Sequence, residues 1–296
     1  MKIEIKKYLF IKILIVFSIF LFFNILILLA NNLGFKSLQQ ELVNHQLVKI
    51  NENQTTIFLG DSSLGHAINA DFWSNLSKQK TSNMALTGNF SFAGSYAFLK
   101  EILKKNKNLK TVIIVNNVYS WQENVKFSGF DYISQQKNFF FKYLNYLDKN
   151  LYEIKNFYFN LIFNKSKKDY SNLIINDFMK HGVKISEDAK IVFESKDFNK
   201  NKSHFLKKIL KLCIEFNIKC IYLHGPIYEK SCNDKNIEFF NRINQELNSL
   251  KILYDKEIKC LTYDQIGDSL YHTSAKYKDY LTNIYYKKYI KLSKNY

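Results

Sequence analysis

The stretch TTIFLGDSSLGHAI, residues 55–68, joins a short apolar run to a turn of small polar residues. The run is rich in β-branched and aromatic residues, which favours a buried strand. The turn contains Gly60, Asp61, Ser62 and Ser63, and glycine permits a tight bend there. Ligand sites of parallel α/β sheets form where strands end. The stretch therefore indicates an α/β fold with a candidate site directly after its first strand.

Further strand-like runs follow along the chain, with amphipathic helix-like segments between them. They are TSNMAL at 81–86, KTVIIV at 110–115, KCIYLHG at 219–225 and EIKCLTY at 257–263. Short apolar strands that alternate with helices predict a parallel sheet covered on both faces. We therefore expect a three-layer α/β/α domain over residues 51–296, with a doubly wound, flavodoxin-like sheet.

The interval from about 125 to 200 breaks this alternation. It contains aromatic-rich helical stretches such as FFFKYLNYL and LYEIKNFYFNLIF, and no clear strand. We interpret the interval as a helical insertion into the α/β domain. Two roles stay open for it, namely helices that cover the core and a lid or substrate groove over the site.

The N-terminus predicts a membrane anchor. Residues 1–7 carry three lysines and precede an apolar segment at 8–30 that only Lys12 and Asn24 interrupt. About eighteen apolar residues suffice to cross a bilayer core. The preceding lysines predict a cytoplasmic stub and an external domain. A cleaved signal peptide is the alternative, but the apolar region is too long and lacks an A-x-A-like cleavage site. Residues 31–50 then form a polar tether with some helical pattern.

The charge of the chain does not predict a nucleic-acid partner. The formal net charge is +17, but the basic residues are lysines with the single exception of Arg242. A surface that reads phosphates or bases is expected to use the planar fork of arginine. We therefore expect no nucleic-acid binding, although a diffuse positive field favours anionic substrates or surfaces.

The four cysteines, Cys213, Cys220, Cys232 and Cys260, all lie in the last third of the chain. No C-x-x-C pair is present and no histidine is spaced to join them, so we expect neither a metal site nor a cofactor. An oxidising compartment would allow one or two disulfides with open connectivity. The alternative for Cys213 and Cys220 is a role as small buried apolar residues.

A second turn, GDSL at 267–270, repeats the letters of the first. The residues before Gly267 are polar, so this turn does not close a buried strand. Asp268 and His272 are four residues apart and would share one face of a helical turn. A carboxylate in that position can orient an imidazole, as in a Ser-His-Asp arrangement. The sequence therefore predicts Ser62 as the nucleophile, His272 as its base and Asp268 as the orienting acid.

Other interpretations of single residues stay open from the sequence alone. Ser62 could cap a helix, which is a common role for a serine after a strand. We expect Ser63 to be structural and His66 to be a surface or capping histidine. His224 lies at a predicted strand end, where it could line the pocket. Asp264 is a weaker candidate for the orienting acid.

Four short blocks, in this order, resemble the SGNH (GDSL-type) hydrolase superfamily, and more closely its membrane-anchored members in bacterial cell-surface acylation systems. The blocks are Gly60-Asp61-Ser62, the segment from Asn83 to Gly88, the pair Asn116 and Asn117, and Asp268 with His272. The resemblance implies that Ser62 is the nucleophile. It also implies an oxyanion hole made by the N–H groups of Ser62 and Gly88 and by an Asn116 or Asn117 side chain.

The sequence departs from the family pattern in two blocks. The third block lacks the usual G-x-N-D. After His272, Ser274 and Tyr277 stand where related proteins commonly have Asn and Gly, while Thr282 is kept. The first departure concerns the third oxyanion donor, and the second removes no predicted catalytic group.

The resemblance implies serine-dependent ester hydrolysis or acyl transfer outside the cytoplasm. The expected substrate is an acyl ester or glycan, and the expected process is O-acylation or deacylation of a cell-surface polysaccharide. A membrane-bound O-acyltransferase is the implied partner. The alternative is a non-catalytic, membrane-anchored protein whose SGNH-type scaffold binds a glycan or an assembly partner.

Overall fold

The structure is a computed structural model of the 296-residue chain, and it describes residues 2–32, 38–50, 54–122, 174–175 and 178–294. The chain divides into two compact units. The first comprises residues 1–41 and 136–170, and the second comprises residues 42–135 and 171–296. The second unit contains every described strand.

The first described element is helix α1, Lys2–Asn32. Its large apolar side chains between Tyr8 and Phe22 are 41–66% exposed. Among the residues that the structure describes, no helix is both long enough and apolar enough to cross a membrane. The helical part of the prediction for residues 8–30 is thus confirmed, and its membrane insertion is not.

The described residues of the second unit form nine strands. They are β1 Thr56–Gly60, β2 Thr81–Ala85, β3 Thr111–Asn116, β4 Ile174–Ile175, β5 Phe178–Met179, β6 Lys219–His224, β7 Ile227–Tyr228, β8 Leu253–Tyr254 and β9 Cys260–Leu261. Five of them form a parallel sheet in the order β2-β1-β3-β6-β8. β2 lies on one side of β1, and β3, β6 and β8 follow on the other side, so the direction in which strands are added reverses at β1. A doubly wound sheet has its ligand crevice at this point, between β1 and β3.

The other helices cover the sheet. They are α2 Leu38–Lys49, α3 Ser62–Ala67, α4 Ala70–Ser77, α5 Ser91–Lys105, α6 Ser203–Glu215, α7 Asp234–Ser249 and α8 Lys278–Ser293. Residues of α5, α6 and α7 share one apolar cluster, and residues of α3, α4 and α8 share another. Successive residues of β1 alternate between the clusters, with Ile57 and Leu59 in the first and Phe58 in the second. The predicted parallel sheet between helices is confirmed.

The α/β domain begins earlier than the sequence predicts. Leu42 and Val43 are fully buried, although they fall in the predicted tether. The Gln46 side chain is buried and its Nε2 donates to the carbonyl of Ala85 at 2.9 Å. Part of the polar pattern of residues 31–50 therefore reflects an amide group that donates a hydrogen bond inside the domain.

The edge of the sheet differs from the prediction. The fifth strand is β8, whereas the predicted strand at 257–263 contributes only β9, which pairs with β7 outside the sheet. Three residues separate β8 from α7, and one of them, Lys251, has a φ of 55° that turns the chain back into the sheet. The sequence predicts no strand at this position.

The predicted insertion at 125–200 lies mostly outside the described residues. From residue 178 to 200 the structure has no α-helix, and the expectation of helices is wrong for this part. β4 and β5 instead form an antiparallel pair, and short 3-10 turns lie at Ser195–Asp197 and Lys200–Lys202. Phe178 and Phe193 are buried and tie this segment to the domain core.

The cysteines form one disulfide in the structure. It joins Cys232, in the turn before α7, to Cys260 of β9. Cys213 and Cys220 are free thiols, and Cys213 is buried in the apolar cluster. The connectivity that the sequence left open is thereby resolved, and Cys213 behaves as a small apolar residue.

Candidate active site

Asp61 locks the turn that follows β1. It is 1% exposed, and its Oδ1 accepts from the backbone N–H and the hydroxyl of Ser63 at 2.9 and 2.6 Å. Its Oδ2 accepts from the N–H of Asn117 at 3.0 Å and from Ser120 Oγ at 2.8 Å. The carboxylate therefore caps α3 and ties the ends of β1 and β3 together. Ser63 is structural, as predicted.

Ser62 is the first residue of α3 and is half-buried. Since Asp61 provides the cap of this helix, the alternative role of Ser62 as the cap is wrong. The Ser62 hydroxyl makes no hydrogen bond to any described residue. Gly60 belongs to β1, where a Cβ would lie 1.8 Å from the carbonyl oxygen of Val115. The glycine is therefore required by the close approach of β3 and not by a bend.

The predicted contact between Asp268 and His272 is present. His272 Nδ1 lies 2.8 Å from Asp268 Oδ1. Asp264 instead accepts from Thr262 and Tyr277, so it does not compete for His272. The two partners do not share a helical turn, because an antiparallel bridge between residues 266 and 273 closes this segment into a loop.

A second histidine, His181, approaches the same carboxylate. Its Nδ1 lies 3.0 Å from Asp268 Oδ1, and the N–H of Gly182 donates to Oδ2 at 2.5 Å. Burial disfavours the charged carboxylate, but the hydrogen bonds from His181, His272 and Gly182 outweigh burial and hold the pKa of Asp268 well below its usual value. His181 lies in the predicted insertion, and no local pattern pointed to it.

His66 completes a cluster of three imidazoles. It is 5% exposed, and its ring centroid lies 4.2 Å from that of His272 and 4.1 Å from that of His181. The expectation of a surface or capping histidine is wrong. Burial, followed by the nearby His272 and His181, lowers the pKa of His66 to about 2. Its spacing of four residues from Ser62, within α3, was the signal that could have revealed it.

The ring contact with His66 places His272 against α3. Asp268 occupies the Nδ1 of His272, so Nε2 is the nitrogen left for another partner. Ser62 and His66 are four residues apart in α3 and therefore lie on one face of that helix. No hydrogen bond joins Ser62 to His272 among the described residues, and catalytic hydrogen bonds are often long in ligand-free proteins.

Gly88 lies at the same end of the sheet as Ser62. It opens the 3-10 turn Gly88–Phe90 after β2, and a Cβ placed on it would meet nothing within 4 Å. The N–H of Leu86 donates to the carbonyl of Gly60 at 3.0 Å, which holds this loop beside β1. Asn83 of the same predicted block is fully buried and donates to the carbonyl of Ile68 at 2.9 Å, so its role is structural.

The structure distinguishes Asn116 from Asn117. Asn117 Oδ1 accepts from the N–H of Ser120 at 2.9 Å and caps a 3-10 turn. The Asn116 side chain is fully buried, and both its polar atoms are without a partner in the described part of the chain. Asn116 pairs in register with His224, whose Nε2 lies 3.0 Å from Asn244. His224 is therefore outside the three-imidazole cluster.

Comparison with models of known protein families finds no match, and comparison with characterised proteins finds none either. The family resemblance of the four sequence blocks therefore stays a prediction.

The three imidazoles and Asp268 also have the composition of a metal site. One ligand atom from each of His66, His181, Asp268 and His272 lies within 4.8 Å of the others. Imidazole nitrogens and carboxylate oxygens are ligands that Zn²⁺ accepts. The expectation of no metal site considered histidines only in relation to the cysteines, and it missed this cluster.

Proposed function

We propose that the chain is a serine esterase or O-acyltransferase of the SGNH type that acts on acyl esters of a cell-surface polysaccharide. The observation that carries the proposal is the Asp268–His272 pair at 2.8 Å, packed through His66 against the helix that begins at Ser62. Asp268 orients the imidazole by its Nδ1 and stabilises its charged form. Nε2 is then available to take the proton of Ser62.

The reaction proceeds in two balanced steps. Ser62 Oγ attacks the acyl carbonyl while its proton moves to His272 Nε2, and the leaving alcohol takes that proton as the C–O bond breaks. Water or a sugar hydroxyl then attacks the acyl carbonyl while its proton moves to His272 Nε2. His272 passes that proton to Ser62 Oγ as the acyl–serine bond breaks, which restores the free enzyme. Backbone N–H groups of Ser62 and Gly88 hold the oxyanion.

The third oxyanion donor is best assigned to Asn117. Its Oδ1 is fixed by Ser120, so its amide nitrogen is held in one orientation, and its backbone is tied to Asp61 beside Ser62. Asn116 lies one residue earlier in β3, so its side chain points to the opposite face of the sheet from Val115, which packs in the cluster of α3.

A serine-directed fluorophosphonate probe tests the nucleophile. The full-length protein should be labelled and should hydrolyse p-nitrophenyl acetate, and Ser62→Ala should abolish both. Ser269→Ala is the matched control, because it removes the serine of the second, equivalent turn. Retained labelling in Ser62→Ala, or loss in Ser269→Ala, would overturn the assignment.

The acceptor distinguishes a transferase from an esterase. Addition of a glycan acceptor should raise acyl transfer above hydrolysis if the acyl-enzyme is resolved by a sugar hydroxyl. An unchanged product ratio would favour a plain esterase, since only the attacking hydroxyl differs between the two reactions.

A non-catalytic scaffold is the second candidate function. The observation that favours it is that the Ser62 hydroxyl has no hydrogen bond to His272, while Asp268 is shared with His181. In that case the protein would bind a glycan or an assembly partner with the same loops. A folded protein that the fluorophosphonate probe leaves unlabelled would support this candidate over the enzyme.

We place the domain outside the cytoplasm, beside a membrane-bound O-acyltransferase partner. Two observations support the location outside the cytoplasm, the exposed apolar side chains of α1 and the disulfide between Cys232 and Cys260. The partner is what the sequence resemblance implies. Disulfides persist in oxidising compartments. The protein should therefore resist extraction by alkaline carbonate. In spheroplasts, protease added from outside should digest the domain. Release into the carbonate supernatant would contradict the anchor.

A further inference from the structure

Half of the histidines of this chain converge on one carboxylate. The chain has six histidines, and His66, His181 and His272 lie together around Asp268. They come from three separate parts of the chain, namely α3, the segment after β5 and the loop before α8. We propose that these four residues form a binding site for a divalent transition-metal ion such as Zn²⁺.

The dimensions of the cluster fit such an ion. Metal–ligand distances of about 2.0–2.1 Å place neighbouring ligand atoms of a tetrahedral zinc site about 3.3 Å apart. Asp268 Oδ1 lies 2.8 Å from His272 Nδ1 and 3.0 Å from His181 Nδ1. All four ligand atoms lie within 4.8 Å of one another. Side-chain adjustments of about an ångström therefore complete the coordination sphere.

His66 is the member whose placement most needs a ligand. It is 5% exposed, and its ring centroid lies 4.1 Å from that of His181 and 4.2 Å from that of His272. A buried imidazole is stabilised when a ligand binds its nitrogen. A metal ion at the centre of the cluster would be bound by one ring nitrogen of His66.

The surroundings hold the other ligands in place. The N–H of Gly182 binds the second oxygen of Asp268 at 2.5 Å and orients the carboxylate, as supporting hydrogen bonds do at metal sites. The backbone of Gly267 packs so closely on His181 that a Cβ there would lie 2.7 Å from Nδ1. The cluster is therefore preorganised by backbone contacts on two sides.

Metal binding excludes the base role of His272. When Nδ1 binds the ion, its proton must move to Nε2, and Nε2 then cannot accept the proton of Ser62. This consequence, which rests on the proposed function, makes the ion an inhibitor of the serine chemistry. Imidazole nitrogens favour zinc, copper and nickel over magnesium and calcium. Magnesium should therefore not inhibit.

Equilibrium dialysis of the full-length, chelator-treated protein against Zn²⁺ and Co²⁺ tests the site directly. We expect one ion per chain, and for Co²⁺ the intense visible absorption of a tetrahedral site. His181→Ala should weaken binding by about tenfold or more. His204→Ala, which removes an exposed histidine of α6, is the matched control and should bind as the parent protein does. Absence of a bound ion in the parent protein, or unchanged binding in His181→Ala, would overturn the proposal.

A second measurement separates this proposal from the serine mechanism. Ser62→Ala should keep the bound ion, because Ser62 is not a ligand. In the parent protein, Zn²⁺ should block labelling by the fluorophosphonate probe, and Mg²⁺ should not. If the probe still labels the protein at full zinc occupancy, the bound ion does not prevent the reaction of Ser62. A protein that binds zinc but is never labelled would refute the serine mechanism and leave the metal site standing.

Discussion

Two turns of this protein share the sequence Gly-Asp-Ser, but their aspartates have different surroundings and different roles. Asp61 of the first turn is 1% exposed and accepts hydrogen bonds from Ser63, Asn117 and Ser120. The Ser62 hydroxyl after it makes no hydrogen bond to any residue that the structure describes. Asp268 of the second turn has an 18% exposed side chain and faces two imidazoles. The difference comes from what precedes each turn. The Asp61 carboxylate follows a buried central strand and is held by backbone and hydroxyl groups. The Asp268 carboxylate lies in a loop and contacts two imidazoles.

The largest expected effect is the loss of activity in Asp268→Asn. An amide at this position holds the wrong tautomer of His272, and we expect turnover to fall about 10³–10⁴-fold. The rate of p-nitrophenyl acetate hydrolysis by the full-length protein measures the loss. The free energy of unfolding should change less than in the equivalent substitution of the first turn. A turnover within a few-fold of the parent protein would show that the second turn does not orient a base.

The equivalent substitution, Asp61→Asn, should act on stability. One of the two side-chain atoms becomes a donor that faces other donors, namely the N–H groups and hydroxyls of Ser63, Asn117 and Ser120. Each broken hydrogen bond to a buried charge costs about 1.5–3 kcal/mol, so we expect a loss of roughly 2–4 kcal/mol. Urea denaturation monitored by circular dichroism measures it. If Asp61→Asn unfolds at the urea concentration of the parent protein, the buried carboxylate does not lock the turn.

The glycines of the two turns give a smaller contrast. In Gly60→Ala the added Cβ would lie 1.8 Å from a backbone carbonyl of β3, which cannot move without the sheet. In Gly267→Ala it would meet the His181 side chain at 2.7 Å, which can shift. We expect a destabilisation of about 3 kcal/mol for Gly60→Ala and of about 1 kcal/mol for Gly267→Ala. Equal melting temperatures of the two variants would contradict this contrast.

The sequence predicted much of the central sheet because its inner strands are continuous apolar runs. β1, β2, β3 and β6 lie where the runs predicted them. The predicted contact of Asp268 with His272 is also present, although a loop makes it and not the expected helical turn. β8 was missed because two apolar residues beside a helix carry no periodic signal of their own. Its neighbour in the sheet, and not its sequence, makes it a strand.

The imidazole cluster shows more clearly what could not be predicted from the sequence. His181 and Asp268 are 87 residues apart in the chain, and their contact is made by tertiary packing alone. The sequence predicted a surface or capping histidine at position 66, whereas its ring packs against Phe178 and the two other imidazoles. A single sequence records such a site as isolated histidines.

The last expected effect is a gradual one with pH, and it arises where the two turns meet. His66 lies on the helix that the first turn begins, and its ring contacts His272 of the second. Because its pKa falls from 6.5 to about 2 on folding, the unfolded chain takes up a proton below pH 6.5 that the folded protein refuses. The stability should therefore fall as the pH drops from 6.5 towards 2, by at most about 1.4 kcal/mol per pH unit from this group.

His66→Leu isolates that contribution in the chelator-treated protein. Burial also lowers the pKa of His224, to about 4, and gives the parent protein an acid-sensitive slope of the same sign. The depressed pKa of Asp268 stabilises the folded state above the carboxyl's unfolded value of 3.8, so it adds no slope between pH 4.5 and 6.5. The difference in slope between the parent protein and His66→Leu over that interval is thus due to His66. His204→Leu, which changes an exposed histidine, should leave the slope unchanged. Parallel stability curves for the parent protein and His66→Leu would mean that water reaches the imidazole cluster and that the two turns do not meet in a buried contact.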